Sequence, residues 1–197
     1  IHAGFSNSLF TPNGKVHRLL TRLAMENLLH PFQPFILGQK NYPIKVAHLH
    51  NIQLIFYGEN EAEYGNKKSD YDISERSNEF FTLEENDNFY LGGASLEELK
   101  ELSLTKNDLE PYLPLEPQQI YNSKIRVHYL GHYHKWHPQS AYYYAVKHGG
   151  FKSAPERTLG TYQAYASIDD KVDDFHYHTT YIKFGIGRAT YDAAQEV

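Results

Sequence analysis

The run Gln53-Leu54-Ile55-Phe56-Tyr57-Gly58-Glu59-Asn60-Glu61-Ala62-Glu63 constrains the fold of this chain more than any other. Leu54 to Tyr57 form an unbroken bulky apolar run, which predicts a strand buried on both faces, the usual state of a parallel strand in a helix-covered sheet. The run stops at Gly58 and turns at once into carboxylates and an amide. In open α/β sheets, ligands bind in the crevice beyond the carboxyl ends of the strands. A glycine there lets backbone approach a ligand, and carboxylates beside it can hold Mg²⁺ or order a loop. A strand that merely runs into a solvated acidic turn has the same spelling.

The neighbouring segments supply a rhythm for such a sheet. Asn13-Gly14 opens a helix in which Val16, Leu19, Leu20, Leu23, Ala24 and Leu28 recur at helical spacing, and Pro31 and Pro34 end it. A second helix is expected over Leu37 to His50. Residues 59–94 form an acidic insertion closed by Gly92-Gly93. Residues 58–90 hold ten Asp or Glu against three Lys or Arg, and the whole chain carries a formal charge of −5, so the remainder is near +2. No basic field for nucleic acid stands out. The stretch from Glu61 to Asp87 is expected to be the most mobile part of the fold.

Ser95 with Glu98 is a capping box for a short helix, and Thr105 to Leu109 makes another turn. Ile125, Val127 and Tyr129 alternate as a second strand. It delivers His132-Tyr133-His134-Lys135-Trp136-His137-Pro138, and a helix then runs to Gly149-Gly150. Phe151 to Tyr165 read as a loop. Ser167 and Asp170 are expected to cap the longest helix, with Ile168, Val172, Phe175, Thr179 and Ile182 on one face. Gly185-Ile186-Gly187-Arg188 then precedes a further helix start.

The chain has no cysteine, and no apolar run approaches the ~20 residues of a membrane span. It begins without methionine and reads as a fragment. His128, His132, His134 and His137, with His176 and His178, invite a zinc reading, but their spacing matches no specific metal motif. A surface histidine cluster and an anion contact remain open beside it. The Gly185–Arg188 turn has the composition of an anion seat, or of a plain turn between helices.

Four segments carry a resemblance: His30 to Asn41, Leu54 to Gly65, Tyr133 to Gln139 with Tyr142 to Ala145, and Phe184 to Asp192. In this order they resemble the N-acetyl sugar amidotransferases of bacterial surface-polysaccharide and lipopolysaccharide biosynthesis, which belong to the PP-loop ATP pyrophosphatases. The resemblance implies an α/β fold with a Rossmann-like parallel sheet and flanking helices, truncated at the N-terminus. Residues 1–150 would be the C-terminal portion of that domain, and 151–197 a helical substrate-side region.

The implied reaction uses ATP and Mg²⁺ to activate the amide oxygen of an N-acetylated sugar or nucleotide sugar. Ammonia from a glutaminase partner then attacks the activated carbon and leaves an acetamidino group. The resemblance also implies a cytoplasmic protein without nucleic-acid or membrane partners. By position, Gly58, Glu59 and Asn60 fall on the nucleotide side, and Glu59, Glu63 and Lys135 are the candidate catalytic groups. His134, Trp136, Arg188 and Asp192 are candidates for substrate contact. The family's Ser-Gly-Gly-type pyrophosphate loop has no counterpart in these residues, so this piece alone is expected not to turn over ATP. The rivals are a catalytically silent scaffold module and a histidine-metal hydrolase.

Overall fold

A computed structural model describes residues 4–58, 73–83, 88–134, 137–168 and 170–195. Helix α1 spans Gly14–Leu28 and α2 spans Gln33–Leu49. Strand β1 covers Leu54–Tyr57, β2 Glu75–Arg76, β3 Tyr90–Leu91 and β4 Ala94–Ser95. After the short helices α3 (Leu96–Glu101), α4 (Lys106–Leu109) and α5 (Pro117–Ser123) comes β5, Arg126–Tyr129. Helices α6 (Leu130–Tyr133), α7 (Pro138–Gly149), α8 (Val172–Phe184) and α9 (Arg188–Gln195) complete the described elements.

The fold is mixed α/β. Its main sheet has the order β1-β5-β2, with β1 parallel to β5 and the two-residue β2 antiparallel to it. The expected parallel pairing of the two long strands is therefore present, in the register Leu54↔Arg126 to Tyr57↔Tyr129. β3 and β4 form a separate hairpin. No described helix is long and apolar enough to cross a membrane.

Burial corrects the reading of β1. Leu54 and Phe56 are 49% and 52% exposed, whereas Ile55 and Tyr57 on the other face pack with the core beneath helix α2; among the described strands β1 lies at the edge of the sheet. It is β5, the central strand, that is enclosed, with Val127, His128 and Tyr129 all buried. Its inner face joins Ile44, Ala47, Phe81, Ile120 and Ile125 in one apolar cluster, with Ile55 and Tyr57 packed against it. A second cluster gathers Val16 and Leu20 of α1 with Leu91, Ala94, Leu99, Leu104, Leu109 and Tyr112.

The α1 stripe behaves as its spacing predicts, and Asn13 caps it by accepting from the Lys15 N–H at 3.0 Å. Pro34, expected to end that helix, instead occupies the first turn of α2, where a missing N–H costs nothing. Pro43 sits inside α2 and leaves the Gln39 carbonyl without its helical donor. The Tyr57 hydroxyl donates to the Gln39 and Lys40 carbonyls, at 3.2 and 2.9 Å, and so pins β1 to the helix. Burial raises the Tyr57 pKa, which keeps this donor protonated.

The expected capping box is present at Ser95 with Glu98, and Thr105 with Asp108 forms a second one where the sequence alone reads only a turn. Within the acidic insertion, the described parts form β2, a 3-10 turn over Asn78–Phe81 and the β3–β4 hairpin. Residues 59–72 and 84–87 lie outside the description, so the expectation of mobility there is not addressed. Near the C-terminus, α8 is shorter than α1 and α2, contrary to expectation. Asp170 accepts from the Val172 N–H at 2.8 Å, whereas Ser167 takes a left-handed backbone and starts no helix. Of the predicted α8 face only Thr179 is buried; Phe175 and Ile182 are 59% and 58% exposed.

Candidate functional site

Because β1 and β5 run parallel in register, the chain leaves both strands at the same edge of the sheet. Gly58 follows β1 there; it is exposed, and a Cβ added to it would meet nothing within 4 Å. Glu59, Asn60 and Glu63, which carry the rest of the predicted nucleotide side, lie outside the described residues. From β5 the chain enters α6 immediately and reaches His134, which is exposed and whose N–H donates to the Leu130 carbonyl at 2.9 Å. Lys135 and Trp136 also lie outside the description.

One face of this edge carries a polar cluster that spacing does not reveal. His128 is buried on β5, and its Nδ1 lies 2.7 Å from the Tyr133 hydroxyl on α6. Its Nε2 faces Glu75 Oε2 of β2 at 3.6 Å, and Arg126 holds the same oxygen at 2.8 Å. The Phe56 ring stands 5.7 Å from His128 and 5.9 Å from Tyr133. Among the described residues, no group of three or more His, Cys, Asp or Glu side chains converges as a metal site would.

Arg188 and Asp192, predicted for the substrate end, are brought together on successive turns of α9, and both are buried. Arg188 Nε lies 3.9 Å from Asp192 Oδ2, and its Nη1 4.0 Å from Asp174 of α8. Its Nη2 donates to the Ala166 carbonyl at 3.3 Å, and the guanidinium lies 4.2 Å from the Tyr177 ring centroid. Asp192 accepts from the Thr161 hydroxyl. Burial raises the Tyr177 pKa, with the nearby Arg188 charge opposing.

Arg188 is thus turned inward onto two carboxylates rather than outward across the Gly185–Gly187 turn. Both carboxylates lie at the long end of ion-pair distance, and Arg188 Nε and Nη1 are buried without a hydrogen-bond partner. What the cluster offers is paired donors and acceptors, suited to hydroxyl and amide groups. Thr161 also lines an open cavity of about 740 Å³, with Arg157, Thr158 and Gly160 on its wall. Thr161, Asp174 and Tyr177 could not be found by spacing, since only the folded loop and α8 bring them to Arg188.

Neither the search of protein-family models nor that of curated proteins finds a match to this chain.

Proposed function

We propose that the full-length protein is an ATP-dependent amidotransferase that converts the N-acetyl group of a surface-polysaccharide sugar to an acetamidino group, on a Rossmann-like PP-loop fold. Ammonia would come from a glutaminase partner. The reading rests on the resemblance carried by the four segments named above. The observation that supports the reading is the parallel, in-register β1–β5 pair, from which the chain leaves at one edge of the sheet, at Gly58 and at Leu130. Ligands of open α/β sheets bind at such an edge.

The pyrophosphate loop that the reaction requires is not among these 197 residues, so the proposal concerns the whole protein. In it, Gly58 leaves space for close backbone approach, and Glu59 and Glu63 would hold Mg²⁺ or the ribose hydroxyls beside Asn60. ATP supplies the activation of the amide oxygen. Lys135 would face the same crevice and stabilise negative charge there, with His134 and Trp136 orienting the sugar. Arg188 and Asp192 would meet its hydroxyl and amide groups.

Carboxylates that act mainly in the transition state should cost turnover about 10²- to 10³-fold when neutralised. The test is Glu59→Gln and Glu63→Gln, made separately in the full-length protein, assayed with ATP, Mg²⁺, N-acetyl sugar and ammonium. Wild-type turnover in both variants at saturating ATP would reject the site. A scaffold role is favoured by one observation, the bare outer face of β1 with Leu54 and Phe56 half exposed. A full-length protein that turns over no ATP yet co-purifies with a glutaminase would select that role.

A further inference from the structure

The outer face of the sheet holds three titratable groups in a row, and their arrangement does not depend on the amidotransferase reading. The Tyr133 hydroxyl meets His128 Nδ1 at 2.7 Å. The other ring nitrogen, Nε2, is buried without a hydrogen-bond partner and lies 3.6 Å from Glu75 Oε2. Arg126 grips that same oxygen through Nη2 at 2.8 Å and Nε at 3.0 Å. The Arg126 guanidinium holds the Glu75 carboxyl below the usual carboxylate range, so the group is ionised at neutral pH.

Electrostatics then selects the tautomer. A bare Nε2 lone pair would face a carboxylate and be repelled, whereas an Nε2–H is attracted. The proton therefore sits on Nε2, Nδ1 is the acceptor, and the Tyr133 hydroxyl donates to it. Hydroxyl, imidazole and carboxylate run in the same donor-to-acceptor sense as a serine-protease triad, which is recognised by geometry and not by sequence position. Exposure marks the working end, since His128 is 5% exposed and Tyr133 52%. The Phe56 ring stands edge-on to the Tyr133 ring at 5.9 Å, and the His132 ring does so at 5.3 Å.

We propose that Tyr133, His128 and Glu75 form a proton relay that takes a proton from an amine, hydroxyl or water nucleophile lying against Phe56. The X–H bond of the nucleophile breaks and its proton forms a new O–H bond at Tyr133. The proton that Tyr133 already carried moves to His128 Nδ1, and the nucleophile keeps the electron pair. The imidazolium so formed is faced by the Glu75 carboxylate, while Arg126 and, when protonated, His132 oppose it. No electrons are exchanged and no other reactant is needed. Tyr133 is the group that touches substrate; His128 and Glu75 act through it.

An arylsulfonyl fluoride reads this directly in the intact chain, because a phenol that attacks sulfur must pass its proton to a base as fluoride leaves. The internal references are Tyr143 and Tyr181, which are 61% and 58% exposed. At pH 7.5, peptide mapping should show Tyr133 labelled about tenfold faster than either, a modest share of what a positioned base contributes. Glu75→Gln and His128→Gln should both bring Tyr133 down towards the reference rate. His128 lies in the central strand, so its variant is checked by circular dichroism, and the half-exposed Glu75 gives a second variant that leaves the core untouched. A Tyr133 rate equal to the references, or an excess that survives Glu75→Gln, overturns the relay. Labelling needs no ATP, sugar or partner, so its failure would leave the amidotransferase proposal standing.

Discussion

Single residues here are constrained by what lies against them, and two glycines separate backbone strain from crowding. Gly93 turns the β3–β4 hairpin at φ +74, and a Cβ there would fall 2.7 Å from Asn27 Cβ and 3.1 Å from Leu28 Cγ of α1. Gly150 caps α7 at a similar φ of +67 but has nothing within 4 Å. Gly150→Ala should therefore cost only the left-handed backbone, about 1 kcal/mol. Gly93→Ala adds an overpacked contact and should cost about 2–4 kcal/mol, read as the difference in urea midpoints. Equal losses would mean that the hairpin does not press on α1. Asp192 offers a second test, since removing one partner of a buried ion pair costs about 3–5 kcal/mol. Asp174 still faces Arg188 at 4.0 Å and offsets part of the loss. Asp192→Asn should thus destabilise by roughly 2 kcal/mol, and an unchanged urea midpoint would show that Arg188 does not need it.

At the scale of elements, the sequence was most legible where a pattern is local, although the Ser167 cap and the Pro34 stop, both local readings, failed. The α1 stripe, the Ser95–Glu98 capping box and the glycine stop of α7 depend on residues within a few positions of one another, and all are present. The other failures depend on distant partners. Leu54 to Tyr57 spell a strand buried on both faces, but an apolar run cannot say which strand of a sheet is central. The two-residue β2 exists only through its pairing with β5. The seating of α8 is equally non-local. His176 of α8 meets the His30 ring and the Phe32 ring, both with centroids 5.4 Å away, and Lys183 donates to the Leu28 carbonyl at 3.1 Å. Burial first, then the opposing ring and Lys183, lowers the His30 pKa; burial also lowers that of His176, against the pull of Asp173. Both imidazoles are therefore neutral in the folded protein at pH 7. The unfolded chain binds the protons more readily, with a pKa near 6.5. The stabilisation is complete above about pH 6.5 and declines as pH falls from there through the lower folded values. Protection factors in α8, corrected for the slower intrinsic exchange at low pH, should fall between pH 7 and pH 5, and His176→Phe should weaken that dependence. A pH response of α8 that is identical in His176→Phe would remove the histidine pair as its cause.

Across the whole molecule, the predicted site divides according to how far apart its parts lie in sequence. Arg188 and Asp192 are one helical turn apart, and the structure joins them. The strand-edge candidates depend on β1 and β5 being parallel, which the βαβ rhythm foretold, but Tyr133 folding back onto His128 required the unforeseen helix α6. The core is likewise uneven. Every member of the two apolar clusters lies between Val16 and Val127, and the partly buried apolar residues packed against them fall in the same interval. Among the described residues beyond 150, the buried ones are Thr161, Thr179, Arg188 and Asp192, all polar. That segment reaches the rest of the chain through rings and hydrogen bonds, such as Tyr165 stacked on Tyr142 and bonded to Gln139. Apolar burial supplies most of the driving force for folding, at roughly 25 cal/mol per Å². A piece with no apolar core of its own cannot offset the entropy of ordering nearly 50 residues, about 1–2 kcal/mol for each backbone. Residues 1–150 should therefore fold without 151–197, with a single cooperative melt by circular dichroism only a few degrees below that of the full chain. The separate piece 151–197 should show neither a cooperative melt nor protection of the Thr179 amide. A 1–150 piece that melts without cooperativity would mean that the polar contacts of α8 and α9 are part of the core, and the boundary at 150 would have to be abandoned.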